Sequence, residues 1–241
     1  MAGHSKWKNI QHRKGAQDAR RGKIFTKLAK EIAVAARLGG EDPVGNARLR
    51  LAVGKARLHS MPKENIERAI KKGVGGGEGA DYSEKTYEGY GPAGVAVMVE
   101  CLTENVNRTV SEVRHAFARS GGNLGAEGSV SWMFKKKGIL IYERAKVRDF
   151  GKLFEVASEA GAAEINDEGE VVEVIAEPSD FAILKQAMDG LELEPFVAEI
   201  QLVPDNTLSL DDDRAQSLTK LIELLEDHDD VQNVYHNADL A

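Results

Sequence analysis

The chain reads as an α+β protein, a basic helical region followed by strands and helices in alternation. Three observations carry this. Apolar residues recur every three or four positions from residue 19 to residue 73, which is the helical period. From residue 95 onward, short apolar runs of strand length alternate with amphipathic stretches. Between the two lies GVGGGEGADYSEKTYEGYGPAG (residues 73–94), rich in glycine and poor in apolar residues, which reads as a linker carrying a strand at 86–90.

At 241 residues the chain is long enough for two or three domains, and 42% hydrophobic with 29% charged residues places it among soluble globular proteins. Its one cysteine, Cys101, lies in an apolar run, so neither a disulfide framework nor a Cys-based zinc site can form, which fits a reducing compartment. The opening MAGHSKWKNIQHRKG has no apolar signal core, and it has too few apolar residues before Ile24 for an amphipathic transit helix. No stretch approaches a membrane span. The expected location is the cytoplasm.

Charge is distributed unevenly. Residues 1–77 hold 18 Lys+Arg against 6 Asp+Glu, a net +12, while the whole chain is −7, which leaves −19 for the other 164 residues. The two parts therefore face different partners. Residues 1–18 mix Lys, His, Arg, Gln and Asn with isolated apolar residues, and this composition predicts an arm that orders on a partner. From Ala19, one helix carries Ile24, Phe25, Leu28, Ile32, Ala35 and Ala36 on one side and Arg20, Lys23, Lys27, Lys30 and Arg37 beside them, ending at Gly39-Gly40. A second is expected over 44–58 with Val44, Ala47, Leu51 and Leu58 apolar, and a third from Pro62 to Gly73. Together they make a small three-helix domain with a basic exterior.

Beyond the linker, 95–102 reads as a strand, 107–120 as a helix, 121–128 as a turn and 129–134 as a strand. Then follow a strand (138–142), a helix (149–160), strands at 163–166 and 171–176, a helix (179–189) and a strand (196–203). That order is βαββαβ, the ferredoxin-like arrangement. A helix (210–226) and a strand (231–235) remain and should return to complete the βαβ begun at Val95. The expected domains are thus 1–77, basic and helical with an N-terminal arm; 78–136 with 205–241, α/β; and 137–204, a ferredoxin-like insertion.

Lys/Arg at three- and four-residue spacing can neutralise successive phosphates. Between Lys6 and Lys30 only Asp18 is acidic, so Lys6, Lys8, Arg13, Lys14, Arg20, Arg21, Lys23, Lys27 and Lys30 are the candidate nucleic-acid contacts. Replacing Lys23, Lys27 and Lys30 with Glu should abolish binding and leave the bundle folded. Trp7 can stack on an unpaired base or pin the arm to the bundle. Asn107 and Arg108 open a helix where capping is the usual role, but Arg108 opposes the helix dipole there and so is a candidate for a partner, as are Gly122 and Asn123 in the turn GGNLG. The glycine run 73–79 lacks the strand and the Gly-Lys-Ser/Thr ending of a phosphate loop. Asp211–Asp213 suits a helix N-terminus, and the EDHDD stretch (226–230) lacks EF-hand spacing. The six histidines form no metal or catalytic pattern, so no cofactor, metal or catalytic residue is assigned.

The opening MAGHSKWKNIQHRKGAQDARRGKIFTKLAKEI, with ERAIKKGVGG, YEGYGPAGVAVMVECLTENVNRTVSEVRHAF, GGNLGAEGSVSWMF and LEDHDDVQNVYHN, closely resembles the YebC/PmpR family along the whole chain. The resemblance implies a helical N-terminal domain and two ferredoxin-like α/β domains, one inserted in the other. It also implies a regulator of gene expression: bacterial members are described as DNA-binding transcriptional regulators, a mitochondrial relative is a translational activator, and the family is linked to ribosomes stalled on proline-rich sequences. The expected partner is nucleic acid, either DNA or rRNA, with the transcription machinery or the ribosome behind it, and neither a membrane nor a small-molecule substrate. A basic arm without a readable recognition helix suits irregular RNA, whereas the family description favours DNA.

Overall fold

A computed structural model describes residues 17–75 and 82–239, with side chains from Arg21 onward. By packing, the described residues fall into two compact units, residues 135–203 and residues 17–134 with 204–239.

The flanking unit begins with helices α1 (Gln17–Gly39), α2 (Ala47–Leu58) and α3 (Lys63–Val74). Leu28, Ile32, Ala35 and Ala36 of α1 share one core with Leu49, Ala52, Val53 and Ala56 of α2 and with Ile66 and Ala69 of α3. α1 and α3 approach closely at Gly73, where an added Cβ would lie 2.2 Å from the Ala33 carbonyl oxygen. α2 starts three residues later than its apolar pattern suggests, and Val44 is not inward but 85% exposed in the preceding turn. The reason is Asn46, a preferred N-cap residue. Its Oδ1 accepts the Leu49 N–H at 3.0 Å, and its Nδ2 donates to the carbonyls of Ala35 and Gly40, so the turn is fixed before Val44 could join a helix.

The same unit holds strands β1 (Ser83–Tyr90), β2 (Ala96–Thr103) and, after α4 (Val106–Arg119), the two-residue β3 (Asn123–Leu124). β1 lies between β2 and β3 and is antiparallel to both, so β2–α4–β3 is a split βαβ with its middle place filled by the strand preceding it. The polar SEKTYEGY is thus an interior strand, paired on both sides near its C-terminal end. After the other unit the chain returns through β8 (Leu208–Ser209), α7 (Asp212–Glu226), β9 (Val231–His236) and β10 (Ala238–Asp239). β9 pairs antiparallel with β2, giving the order β3-β1-β2-β9. Val97, Val99 and Cys101 of β2, with Val95 just before it, pack against Val113 and Phe117 of α4 and Leu218, Leu221 and Leu225 of α7.

Residues 129–134 do not form the expected strand. Ser131–Met133 is a single 3₁₀ turn and the strand starts at Phe134. The buried Glu88 accounts for this, because its carboxylate accepts the N–H groups of Gly128, Val130 and Ser131 at 2.8–2.9 Å, which wraps the backbone around it rather than along a sheet.

The unit of residues 135–203 is the ferredoxin-like fold read from the sequence. It contains β4 (Phe134–Glu143), α5 (Phe150–Glu159), β5 (Glu164–Asp167), β6 (Val171–Ala176), α6 (Phe181–Asp189) and β7 (Val197–Pro204), with sheet order β5-β6-β4-β7. Ile139 and Ile141 of β4 meet Val171, Ile175 and Val197 in its core. The protein is therefore α+β, with three helices first and strand-rich sheets after them. Among the described residues, no helix is long and apolar enough to cross a membrane.

Candidate nucleic-acid interface

α1 carries Lys23, Lys27 and Lys30 at successive turns, so their side chains leave the helix on one side. They meet the end of α7. Lys23 Nζ lies 2.5 Å from Asp227 Oδ1 and donates to the Asp227 carbonyl at 3.2 Å. Lys27 Nζ donates to the Glu226 carbonyl at 2.5 Å. Lys30 Nζ donates to Asp230 Oδ1 at 2.8 Å and to the Asp229 carbonyl at 3.0 Å. The last carbonyls of a helix lack partners within the helix and carry its negative pole, so cations placed there are favourable. Burial pushes the Lys27 ammonium below its usual value, while Glu226, Asp229 and Asp227 pull it back up.

Asp230 is the centre of this contact. Its side chain is 4% exposed, and its second oxygen accepts from Arg108 Nη2 at 2.7 Å, Thr109 Oγ1 at 2.9 Å and Thr103 Oγ1 at 3.2 Å. Burial alone would raise this carboxyl, but the hydrogen bonds from Lys30, Arg108 and Thr109 together outweigh it and hold the group well below the usual carboxylate range. The Asp230 N–H donates to His228 Nδ1 at 3.0 Å, so the ring proton sits on Nε2, which faces the Glu112 carboxylate. One carboxylate thus joins α1, β2, α4 and the turn before β9.

The sequence candidates therefore divide. Lys23, Lys27 and Lys30 face the chain's own acidic turn. Glutamates there would be set against Asp227 and Asp230, so the triple replacement perturbs this internal contact and cannot leave the fold untouched. Lys6, Lys8, Arg13, Lys14, Trp7 and the side chain of Arg20 lie outside the described residues. Arg21 is exposed, its guanidinium 5.7 Å from the Phe25 ring centroid. Asn107 is exposed, whereas Arg108 is held by Asp230 and its N–H caps onto Asn105 Oδ1 at 3.1 Å. Gly122 is needed for a close approach, since a Cβ there would come within 2.4 Å of the Tyr90 carbonyl oxygen, and the exposed Asn123 pairs with Tyr90 in the sheet.

A second basic surface lies between α1 and α3. Arg68, Lys71 and Lys72 are exposed on α3 at spacings of three and four, and among the described residues none of them has an ion-pair partner. Arg68 and Lys72 edge an open groove of about 340 Å³ whose floor includes Phe25, Ala29 and Met61 and whose end is Tyr82. The Lys72 and Lys30 ammonium groups stand 5.8 and 5.7 Å from the Tyr82 ring centroid. Burial and a hydrogen bond to Glu104 push the Tyr82 phenol up to about 12, so it stays protonated. Sequence reasoning treated α3 only as a member of the bundle. The signal was present in ERAIKK, three cations on one helix face, of which Arg68 and Lys72 lie one turn apart. Among the described residues, no group of three His, Cys, Asp or Glu is placed to hold a metal.

Known proteins give the context. A family model described as TACO1/YebC second and third domain matches residues 82–238, and one described as TACO1/YebC protein N-terminal domain matches residues 5–76. Among curated relatives, a protein of Syntrophotalea carbinolica is 56% identical over all of this chain and 96% of its own length. One of Geobacter sulfurreducens is 54% identical over all of this chain and 97% of its own length. Both carry the name "Probable transcriptional regulatory protein". Among solved structures, a conserved hypothetical protein from Aquifex aeolicus superimposes with a TM-score of 0.83 at 46% identity, covering 92% of this chain and 91% of that one.

Proposed function

Because the chain belongs to the TACO1/YebC family, whose curated members here are named as transcriptional regulators, we propose that it is a nucleic-acid-binding regulator of gene expression acting through its basic N-terminal domain. The observation that carries this reading is the charge split, +12 in residues 1–77 against −19 in the rest. A domain of that charge concentrates a polyanion near it and gains affinity by releasing its counterions. The names of the relatives favour duplex DNA and transcription. A second reading, a factor that contacts rRNA on the ribosome, is favoured by α1: its basic side is occupied by the acidic turn, so it offers no recognition helix for a major groove.

The test is sedimentation of a cell lysate through a sucrose gradient at low and moderate salt, with the protein followed by antibody, beside titration of the purified chain with promoter DNA. Comigration with ribosomal particles supports the second reading. A position at the top of the gradient with salt-dependent promoter binding supports the first. Salt-independent behaviour, with no binding to DNA, RNA or ribosomes, overturns both.

A further inference from the structure

We infer that the groove between α1 and α3 seats an unpaired nucleotide of a single-stranded nucleic acid, with its phosphate held by Arg68 and Lys72 and its base against Phe25 and Ala29. This rests on the nucleic-acid reading above and assigns it a surface that the α1 lysines do not provide. Three features of the groove lead there.

The first is charge. Among the described residues the groove is lined by Lys30, Arg68 and Lys72 and by no carboxylate, in a chain whose acids outnumber its bases by seven. Lys30 is committed to Asp230, but Arg68 and Lys72 have no such partner among the described residues. They lie one helical turn apart, the spacing at which two cations on a helix converge on one anionic group.

The second is shape and polarity. A cationic edge over an apolar floor suits a ligand with an anionic backbone and a flat apolar face. A free phosphate would leave the floor uncovered, and an aliphatic peptide would leave the cations without use. A volume of about 340 Å³ lies at the lower end of the range for small-ligand sites, about 300–1,000 Å³. A base in a duplex cannot reach such a floor, because its face is stacked and its edge is paired, whereas an unpaired base presents a π-face to any aromatic side chain.

The third is rigidity. Gly73 locks α3 against α1 at the Ala33 carbonyl, and Tyr82 is braced by two cations. The groove walls are thus fixed before a ligand arrives, which lowers the ordering cost of binding.

The test uses the full chain and three fluorescein-labelled probes: oligouridylate, oligodeoxythymidylate and an RNA duplex of matched length. Binding is read by anisotropy across a salt series for the wild type, for Arg68→Gln/Lys72→Gln and for Arg68→Lys/Lys72→Arg. Each phosphate contact on a single strand adds about 0.7 to the slope of log K against log salt, which at 0.1 M salt is about fivefold, so losing two should weaken binding about 25-fold and flatten the slope by about 1.4. The charge-keeping swap should retain most of the affinity. Both variants change exposed side chains, and circular dichroism checks the fold. Ala29→Leu, which raises the floor, should weaken binding with the salt slope unchanged. If the wild type binds single strands and the Gln pair binds them equally with the same slope, the groove assignment is overturned while the nucleic-acid reading stands. Equal loss of duplex and single-strand binding in the Gln pair overturns the unpaired-base assignment. Failure of the wild type to bind any nucleic acid overturns both readings. Preference for one of the two single strands identifies RNA or DNA as the source and supports the groove.

Discussion

Removing the Asp230 carboxylate is the sharpest perturbation of the contact between α1 and the end of α7. In Asp230→Ala, the Lys30 ammonium, only 14% exposed, loses its carboxylate partner, and Thr103 and Thr109 lose an acceptor. Breaking a buried pair by deleting one member costs about 3–5 kcal/mol. The Arg108 side chain is half exposed and can recover its hydration, which places the expected loss near the lower end, about 3 kcal/mol. With a urea m-value of about 2 kcal/mol per molar, the midpoint of the unit containing α1 should fall by about 1.5 M. Asp230→Asn keeps the shape and one oxygen and should lose about 1–2 kcal/mol. Adding Lys30→Met to Asp230→Ala should restore part of the loss, because the stranded ammonium is gone. Acid supplies an independent check. The carboxyl lies below its ordinary value of 3.8 in the fold, so its stabilisation is complete above that pH and is lost as the pH falls toward the folded value. Wild type should therefore lose stability below about pH 4 more steeply than Asp230→Ala. A midpoint shift under about 0.5 M, with no coupling to Lys30, would refute the reasoning.

Three further outcomes are expected. Glu88→Gln replaces a buried acceptor of three N–H groups with one that presents its own donors, and it should cost about 2 kcal/mol and speed amide hydrogen exchange at Val130 and Ser131. Burial raises the Glu88 carboxyl, but the three N–H groups lower it further, so in wild type this stabilisation holds at neutral pH and declines only as acid approaches the lowered value. Gly73→Ala sets a helix-propensity gain of about 1 kcal/mol against overpacking of about 1–3 kcal/mol. The contact is with the Ala33 backbone, so the melting temperature should fall, and a rise in calorimetry would contradict the close approach of α1 and α3. Asn46→Ala removes an N-cap and two donors and should cost about 2 kcal/mol by urea unfolding, with Asn46→Asp recovering the cap alone.

The helices and the ferredoxin-like unit were legible because long periodic segments announce themselves. The 3.6-residue period placed Leu28, Ile32, Ala35 and Ala36 inward, and they are buried. Segments decided by one polar side chain were not legible. Val44 fits the apolar stripe of α2, yet Asn46 stops the helix short of it. The run 129–134 looks extended, yet Glu88, some forty residues upstream, folds it into a turn. β3, β8 and β10 are two residues each, too short for any period. The candidate interface is a different matter. Charge counts locate basic segments but say nothing of what each cation faces. Asp227 and Asp230 lie about two hundred residues from their lysines, whereas Arg68 and Lys72, with no ion-pair partner among the described residues, passed as ordinary surface.

The distance in sequence between α1 and its acidic turn also orders events during synthesis. Lys30 and Asp230 are 200 residues apart, and at about 5–20 residues per second the ribosome needs about 10–40 s to pass from one to the other. For that interval the nascent helix carries Lys23, Lys27 and Lys30 without counter-charge, a stronger polycation than the finished protein presents. Chains that stop before residue 226 keep that charge permanently. An interrupted product is thus a different electrostatic object from the complete one.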